Sequence, residues 1–314
     1  MNEVTQLEDI VYALAASPSF EEDGLCFAAR PTGLYRSQDG ARSWQDAYAS
    51  LELTAALTTP AVVISPAFET DATLFAGAPG GVLRSADAGQ TWHVASFPPP
   101  APFVSFLAIS PDYARDGTIF AATLQDGVFR SGDRGRHWAA WNFGLLDLNV
   151  LALVISPAYA DDETLFAGTE SGLFRSTNGG RAWREVALPT QFAPALSLAI
   201  SPDYARDETL FAGTEAYGLF RSQDGGVTWG RLAEERLTGA VNSITLAPDF
   251  PAQPDVLALH EDTLLVSRDG AASWAEWETD PAIDAAVASV AAPHGLAPGA
   301  PLLLGLMDGT VLRI

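Results

Sequence analysis

A block of about 45 residues recurs along nearly all of this chain, and few architectures can absorb such a pattern. Residues 156–183 read SPAYADDETLFAGTESGLFRSTNGGRAW, and residues 201–229 read SPDYARDETLFAGTEAYGLFRSQDGGVTW. The same frame starts at Ser17, Ser65 and Ser110, and more loosely at Ala247 and Ala292. Six units close on a tryptophan: Trp44, Trp92, Trp138, Trp183, Trp229 and Trp274, which lie 48, 46, 45, 46 and 45 residues apart. A seventh unit, PLLLGLMDGTVLRI, matches the middle of the frame at the end of the sequence. A unit of this size cannot bury its apolar face alone and must stack on its neighbours.

Within each unit, short runs rich in β-formers alternate with turn residues, the pattern of antiparallel strands. In unit four the runs fall at 151–156, 164–168 and 172–176, with a fourth opening at Trp183. They are named A to D below. Four strands at this period predict an all-β chain, a single seven-bladed β-propeller of four-stranded antiparallel blades. Unit seven has no D run, whereas residues 4–7 resemble the D run of unit four. An N-terminal strand closing the last blade would remove an aggregation-prone edge. The expectation is one domain over 1–314, a monomer.

At the C-to-D turn stands S-x-D-x-G-x-T-W, intact at Ser85–Trp92 and again at Ser222–Trp229. This resembles the Asp-box, or BNR, repeat of sialidases, sortilin-type receptors, xyloglucanase-like hydrolases and photosystem II assembly factors. Departures are modest: Asn178 replaces Asp, Ala41 and Ala271 replace Gly, and His137 and Ala182 replace Thr. A turn Asp accepts hydrogen bonds from nearby backbone N–H groups, Gly supplies positive φ, and Trp fills the space between sheets. Asp39, Asp87, Asp133, Asn178, Asp224 and Asp269, with their six tryptophans, therefore read as structural. Six copies of a residue cannot all be the acid of one site. The acidic A-to-B loops read the same way, since they lack the dense oxygen spacing of a Ca²⁺ loop.

In propellers of this resemblance the working face lies opposite the boxes and is built from B-to-C and D-to-A loops. Here the B-to-C set is 30–32, 78–80, 123–126, 169–171, 214–217, 260–262 and 307–308; the D-to-A set is 52–60, 97–102, 143–149, 188–195, 233–240 and 278–285. These segments break the repeat, and function concentrates there. The candidate partner-binding residues are Tyr217, Glu215, Glu170, Gln125, Asp126, Phe192, His260 and Asp308, with Phe103 and Phe143 as further aromatics near the loops.

Three readings compete. A sialidase would need three arginines on a substrate carboxylate, and this face offers Arg30 and Arg236. A xyloglucanase-like hydrolase would need two carboxylates across a cleft, drawn from Asp126, Asp147, Glu170, Glu215, Asp280, Asp284 and Asp308. That family builds its cleft between two propellers, and this chain holds one. The third reading is a non-catalytic platform that docks a protein, a peptide or possibly a glycan; it names no catalytic residue, no cofactor and no metal. His260, Glu261 and Asp262 are the only histidine–carboxylate cluster in a B-to-C loop, but consecutive strand-like residues point to opposite sides.

Charge narrows the partners. The chain carries 39 acidic residues against 17 basic ones, all arginine, for a net charge of −22. Nucleic acid binding needs a basic stripe to displace counterions, so no nucleic acid partner is expected, and anionic membrane surfaces are disfavoured for the same reason. No apolar run reaches the length of a membrane span. A loop face nearly bare of arginine suits neutral or cationic ligands. The acidic N-terminus lacks the positive charge of a signal peptide, which leaves the compartment unknown and leans towards the cytoplasm. The single Cys26 excludes an internal disulfide and reads as a buried filler.

Overall fold

The computed structural model describes residues 9–97, 101–190, 192–278, 283 and 285–314. Within them the chain forms seven antiparallel sheets, six of four strands and one of three. In every sheet the strand order follows the sequence, A-B-C-D. Each A strand packs beside the A strands of the neighbouring blades, and blade one meets blade seven. The sheets thus stand around a ring as the blades of a β-propeller.

Blade four has strands Val150–Ile155, Leu165–Thr169, Leu173–Ser176 and Arg184–Val186, each within about one residue of the expected run. Blade seven has Val287–Ala291, Leu303–Leu306 and Val311–Arg313. The closing strand expected at 4–7 lies outside the described residues. Val11 does reach blade seven, donating its N–H to the Leu306 carbonyl at 3.1 Å and accepting from the Ser289 hydroxyl at 2.8 Å.

Strand B carries the core. All five residues of Leu165–Thr169 are buried, because neighbouring sheets cover both faces. This is why the LFAGT run is continuously apolar or small rather than alternating. Its phenylalanine meets an aromatic of the next blade. Phe75–Tyr113, Phe120–Tyr159, Phe166–Tyr204 and Phe211–Phe250 stand edge to face, with centroids 5.7, 5.9, 6.5 and 6.0 Å apart. Edge-to-face geometry sets the positive ring edge against a negative ring face.

The A-to-B segments differ from the open acidic loops expected. Five of them hold one helical turn: Phe20–Asp23, Phe68–Asp71, Tyr113–Asp116, Tyr159–Asp162 and Tyr204–Asp207. The final Asp locks each turn. Its Oδ2 accepts from the serine that ends strand A, as in Ser110–Asp116 at 2.6 Å. Its Oδ1 accepts the N–H two residues on, as from Thr118 at 2.7 Å. The same pair of bonds recurs at Asp23, Asp71, Asp162 and Asp207. One turn is too short to show a helical period, so the pattern left no helix signal in the sequence.

Candidate binding face

Up-and-down blades place the A-to-B and C-to-D turns at one end of the ring, and the B-to-C and D-to-A loops at the other. At the first end one Asp of each helical turn and the Asp residues of the C-to-D turns are engaged in turn geometry. In the C-to-D turns the serine hydroxyl donates to Asp Oδ1, at 2.7 Å for Ser85–Asp87 and 2.8 Å for Ser222–Asp224. Oδ1 also accepts two backbone N–H groups three and four residues on, for Asp224 at 3.0 and 2.8 Å. Oδ2 accepts the hydroxyl of Ser43, Thr91, Thr228 or Ser273. The hydroxyl and N–H donors of Ser43, Thr228 and Ser273 hold Asp39, Asp224 and Asp269 down from the usual 3.8 to about 2. Bonds to the charged form stabilise it.

The six tryptophans sit on the preceding blade. Trp92, Trp183, Trp229 and Trp274 are buried there; Trp44 and Trp138 are partly buried. Two make cross-blade bonds, from Trp92 Nε1 to the Ala47 carbonyl and from Trp183 Nε1 to the Trp141 carbonyl, both at 2.8 Å. The turn glycine has two reasons to be glycine. Gly135 takes φ +81°, and a Cβ there would lie 2.5 Å from Phe75 Cε1 of the preceding blade. Among the described residues, no group of three His, Cys, Asp or Glu side chains is placed to hold a metal ion.

At the opposite end the B-to-C hairpins are pinned from within. The buried hydroxyls of Thr123, Thr169 and Thr214 donate to the carbonyls of Gly127, Gly172 and Gly218 at 2.7, 3.1 and 3.0 Å. Strand A bulges at this end in blades three to seven, at Val104/Phe106, Val150/Ala152, Ala195/Ser197, Val241/Ser243 and Val287/Ser289. Bulges re-aim the chain and are frequent beside functional surfaces.

The candidate residues fall into separate groups. Around blades four and five lie Glu170, Phe192, Glu215 and Tyr217. Asn149 Nδ2 donates to Glu170 Oε2 at 3.1 Å, and the Glu215 N–H donates to the Pro194 carbonyl at 3.0 Å. Phe192 is 67% exposed, while Tyr217 is half-buried at the edge of the core cluster shared by blades four and five. Phe192, Thr190, Leu188 and Ser171 line a cavity of about 270 Å³. Gln125, at φ +77°, and Asp126 form the blade-three hairpin, where the Asp126 carbonyl accepts from Asn142 Nδ2 at 2.8 Å. His260 ends strand B of blade six, and its Nε2 accepts the Gly239 N–H at 3.2 Å, a loop-bracing role. Asp308 is exposed on blade seven and accepts the Thr310 N–H at 2.8 Å.

Both arginines of this face are paired, Arg30 with Asp9 at 3.2 Å and Arg236 with Glu276 at 3.9 Å. Asp147 is a loop brace: its carboxylate accepts the N–H of Asn149 at 3.0 Å and of Ser171 at 2.7 Å. Burial pushes its pKa up, but these donors outweigh that and hold it below the usual range. The Thr310 N–H holds Asp308 low as well. Asp280 and Asp284 lie outside the described residues. The most exposed apolar side chains were only partly foreseen: Phe143 and Leu146, both 80% exposed, share the loop between blades three and four. Leu146 is not among the sequence candidates, although the GLLDL run that carries it breaks the repeat.

No protein-family model and no curated protein matches the chain. Solved structures do. A GH74 xyloglucanase from Xanthomonas campestris superposes with a TM-score of 0.73 at 19% identity, over 97% of this chain and 52% of that one. YCF48 bound to D1 peptide gives 0.71 at 16% identity, over 98% of this chain and 94% of that one. The extracellular domain of a two-component system from B. thetaiotaomicron gives 0.70 at 16% identity, over 99% of this chain and 38% of that one. The chain thus spans between about two fifths and one half of the first and third structures. At these identities the likeness carries the fold alone.

Proposed function

We propose that this chain is a single-domain Asp-box propeller over 1–314 that acts as a non-catalytic docking platform. The working face is the loop end, centred on blades four and five. The observation that carries this reading is the exposure of Phe143, Leu146 and Phe192 on loops that depart from the repeat. Exposed aromatic side chains offer the large apolar area that interface anchors bury, and Phe192 stands at the edge of a cavity. Glu170 and Glu215 flank them, so the favoured partner is a peptide or protein segment with an apolar anchor beside a cationic residue. YCF48, of the same fold, is described with a bound D1 peptide. Tyr217, Gln125, Asp126, His260 and Asp308 would form the rim.

The alternative, a xyloglucanase-like hydrolase, draws on fold likeness and on the carboxylates of the same face. A general acid needs a raised pKa, and Asp147 and Asp308 are both held low. Panning a random peptide library on the whole chain tests the platform. Hits should carry an aromatic or aliphatic residue next to Lys or Arg, and Phe192→Ser or Glu215→Ala should release them. Hits that survive both substitutions would sink this reading. So would glycan hydrolysis abolished by a loop-face Asp→Asn change.

A further inference from the structure

The outer groove between blades four and five holds a feature that, among the described residues, no other blade shares. Arg175 on strand C stands directly opposite Arg184 on strand D. The corresponding partners are Arg36 with Gln45, Arg84 with His93, Arg130 with Ala139, Arg221 with Gly230 and Val266 with Ala275. Among the described residues, blade four alone sets arginine against arginine. Like charges directly opposed across a ladder repel. Both arginines line one cavity of about 460 Å³.

The turn beside that cavity has lost its carboxylate. Asn178 stands where five other turns carry Asp, and Ala182 where they carry a Thr, Ser or His. Asn178 Oδ1 accepts from the Ser176 hydroxyl at 3.0 Å and from the Ala182 N–H at 2.9 Å. Its other side-chain group is therefore the NH₂, and Ala182 offers no hydroxyl to meet it. Asn178 lines the same cavity, as does Thr177. Glu185 also borders it, but its cross-strand partner is Phe174, which packs towards blade three. Alternation therefore sends the Glu185 carboxylate to the other face of the sheet. Arg181 does not contribute, being paired with Glu163 at 2.9 Å. The remaining side-chain donors are two guanidinium groups, an amide and a hydroxyl, in a protein of net charge −22.

We propose that this groove binds a small oxyanion, a phosphate or carboxylate group held between Arg175 and Arg184 and the Asn178 amide. Guanidinium groups match such oxygens with paired, charge-assisted bonds. The anion would also relieve the repulsion between the arginines. The site lies on the outer strands C and D of blade four, and its cavity meets the one beside Phe192 along Glu185, Val186 and Ala187.

The test is a titration of the whole chain with inorganic phosphate, and separately with acetate, at ionic strength held constant with chloride. Amide shifts are followed by NMR. Saturable shifts confined to 175–186 and 226–227 are expected, with a Kd in the millimolar range. Saturation by phosphate alone assigns a phosphate group, and saturation by acetate alone a carboxylate. Arg184→Gln and Asn178→Asp should each weaken binding about tenfold or more, as a charge is removed or an opposing one added. Asn178→Asp restores the residue of the other turns, so the fold is kept. The proposal is overturned if neither anion gives saturable shifts there up to about 50 mM. It is equally overturned if both variants titrate like the parent chain.

Discussion

Replacing Gly135 with alanine tests whether the glycine of the C-to-D turn is set by the blade before it. Two effects add. The residue sits at φ +81°, where an L side chain costs about 1–2 kcal/mol. Its Cβ would also lie 2.5 Å from Phe75 Cε1 and 3.3 Å from Cζ. The Phe75 ring is fully buried and packed edge-on to Tyr113, so it cannot swing aside freely. Overpacking of this kind costs about 1–3 kcal/mol, for a total of about 2–5 kcal/mol. Gly179 is the internal control. It has φ +72°, but its Cβ would meet the far ends of Tyr159 and Arg181 at 3.1 and 3.3 Å. Gly179→Ala should therefore cost about 1–2 kcal/mol, the backbone part alone. Ala41 and Ala271, at φ 69° and 72°, show that this turn accepts alanine where the neighbour gives room. Urea denaturation with an unchanged m-value gives both differences. Phe75→Leu should make the Gly135→Ala loss smaller, with a coupling of about 0.5–3 kcal/mol between the two changes. If Gly135→Ala matches Gly179→Ala, or the two changes simply add, the glycine is not there for Phe75.

Other outcomes follow from the same geometry. Asp39, Asp224 and Asp269 titrate at about 2 in the folded chain and near 3.9 when unfolded. Their contribution is present above about pH 4 and is lost as pH falls towards 2; a thermal midpoint flat from pH 5 to 2 would contradict this. Asp116→Ala removes the acceptor of a buried serine and a backbone N–H and should cost about 2–3 kcal/mol. Asp112→Ala, whose carboxylate pairs with the exposed Arg115, should stay within about 1 kcal/mol; equal losses by chemical denaturation would refute the lock. Cys26 is fully buried, and burial pushes its thiol up to about 12. It should resist Ellman's reagent at pH 8 in the folded chain and react at once in 6 M guanidinium, because the thiolate is the reactive form.

The seven blades were legible because a repeat is a one-dimensional record of its own contacts. LFAGT and GLFRS name the buried middle strands, and S-x-D-x-G-x-T-W names the turn, without reference to distant residues. The candidate face was legible by location, as the segments that break the repeat, because topology alone sends alternate loops to opposite ends. What each loop residue does was hidden. Whether Asp147 is a reactive acid or a brace depends on the Ser171 N–H, 24 residues away. Whether Tyr217 is an anchor or packing depends on the core cluster between blades four and five, against which it lies half-buried.

The sequence by itself determined the all-β class, the number of units and the sign of the net charge. Each of these rests on local spacing or on simple counting. Tertiary structure decided the helical turns locked by Ser110–Asp116 and its repeats, the seating of Gly89, Gly135, Gly180 and Gly226 on a phenylalanine of the preceding blade, and the meeting of Arg175 with Arg184. Those features depend on register and on contacts between blades. A strand's neighbour across the ladder or across the seam is fixed by how the ring closes, and no single window of residues contains it.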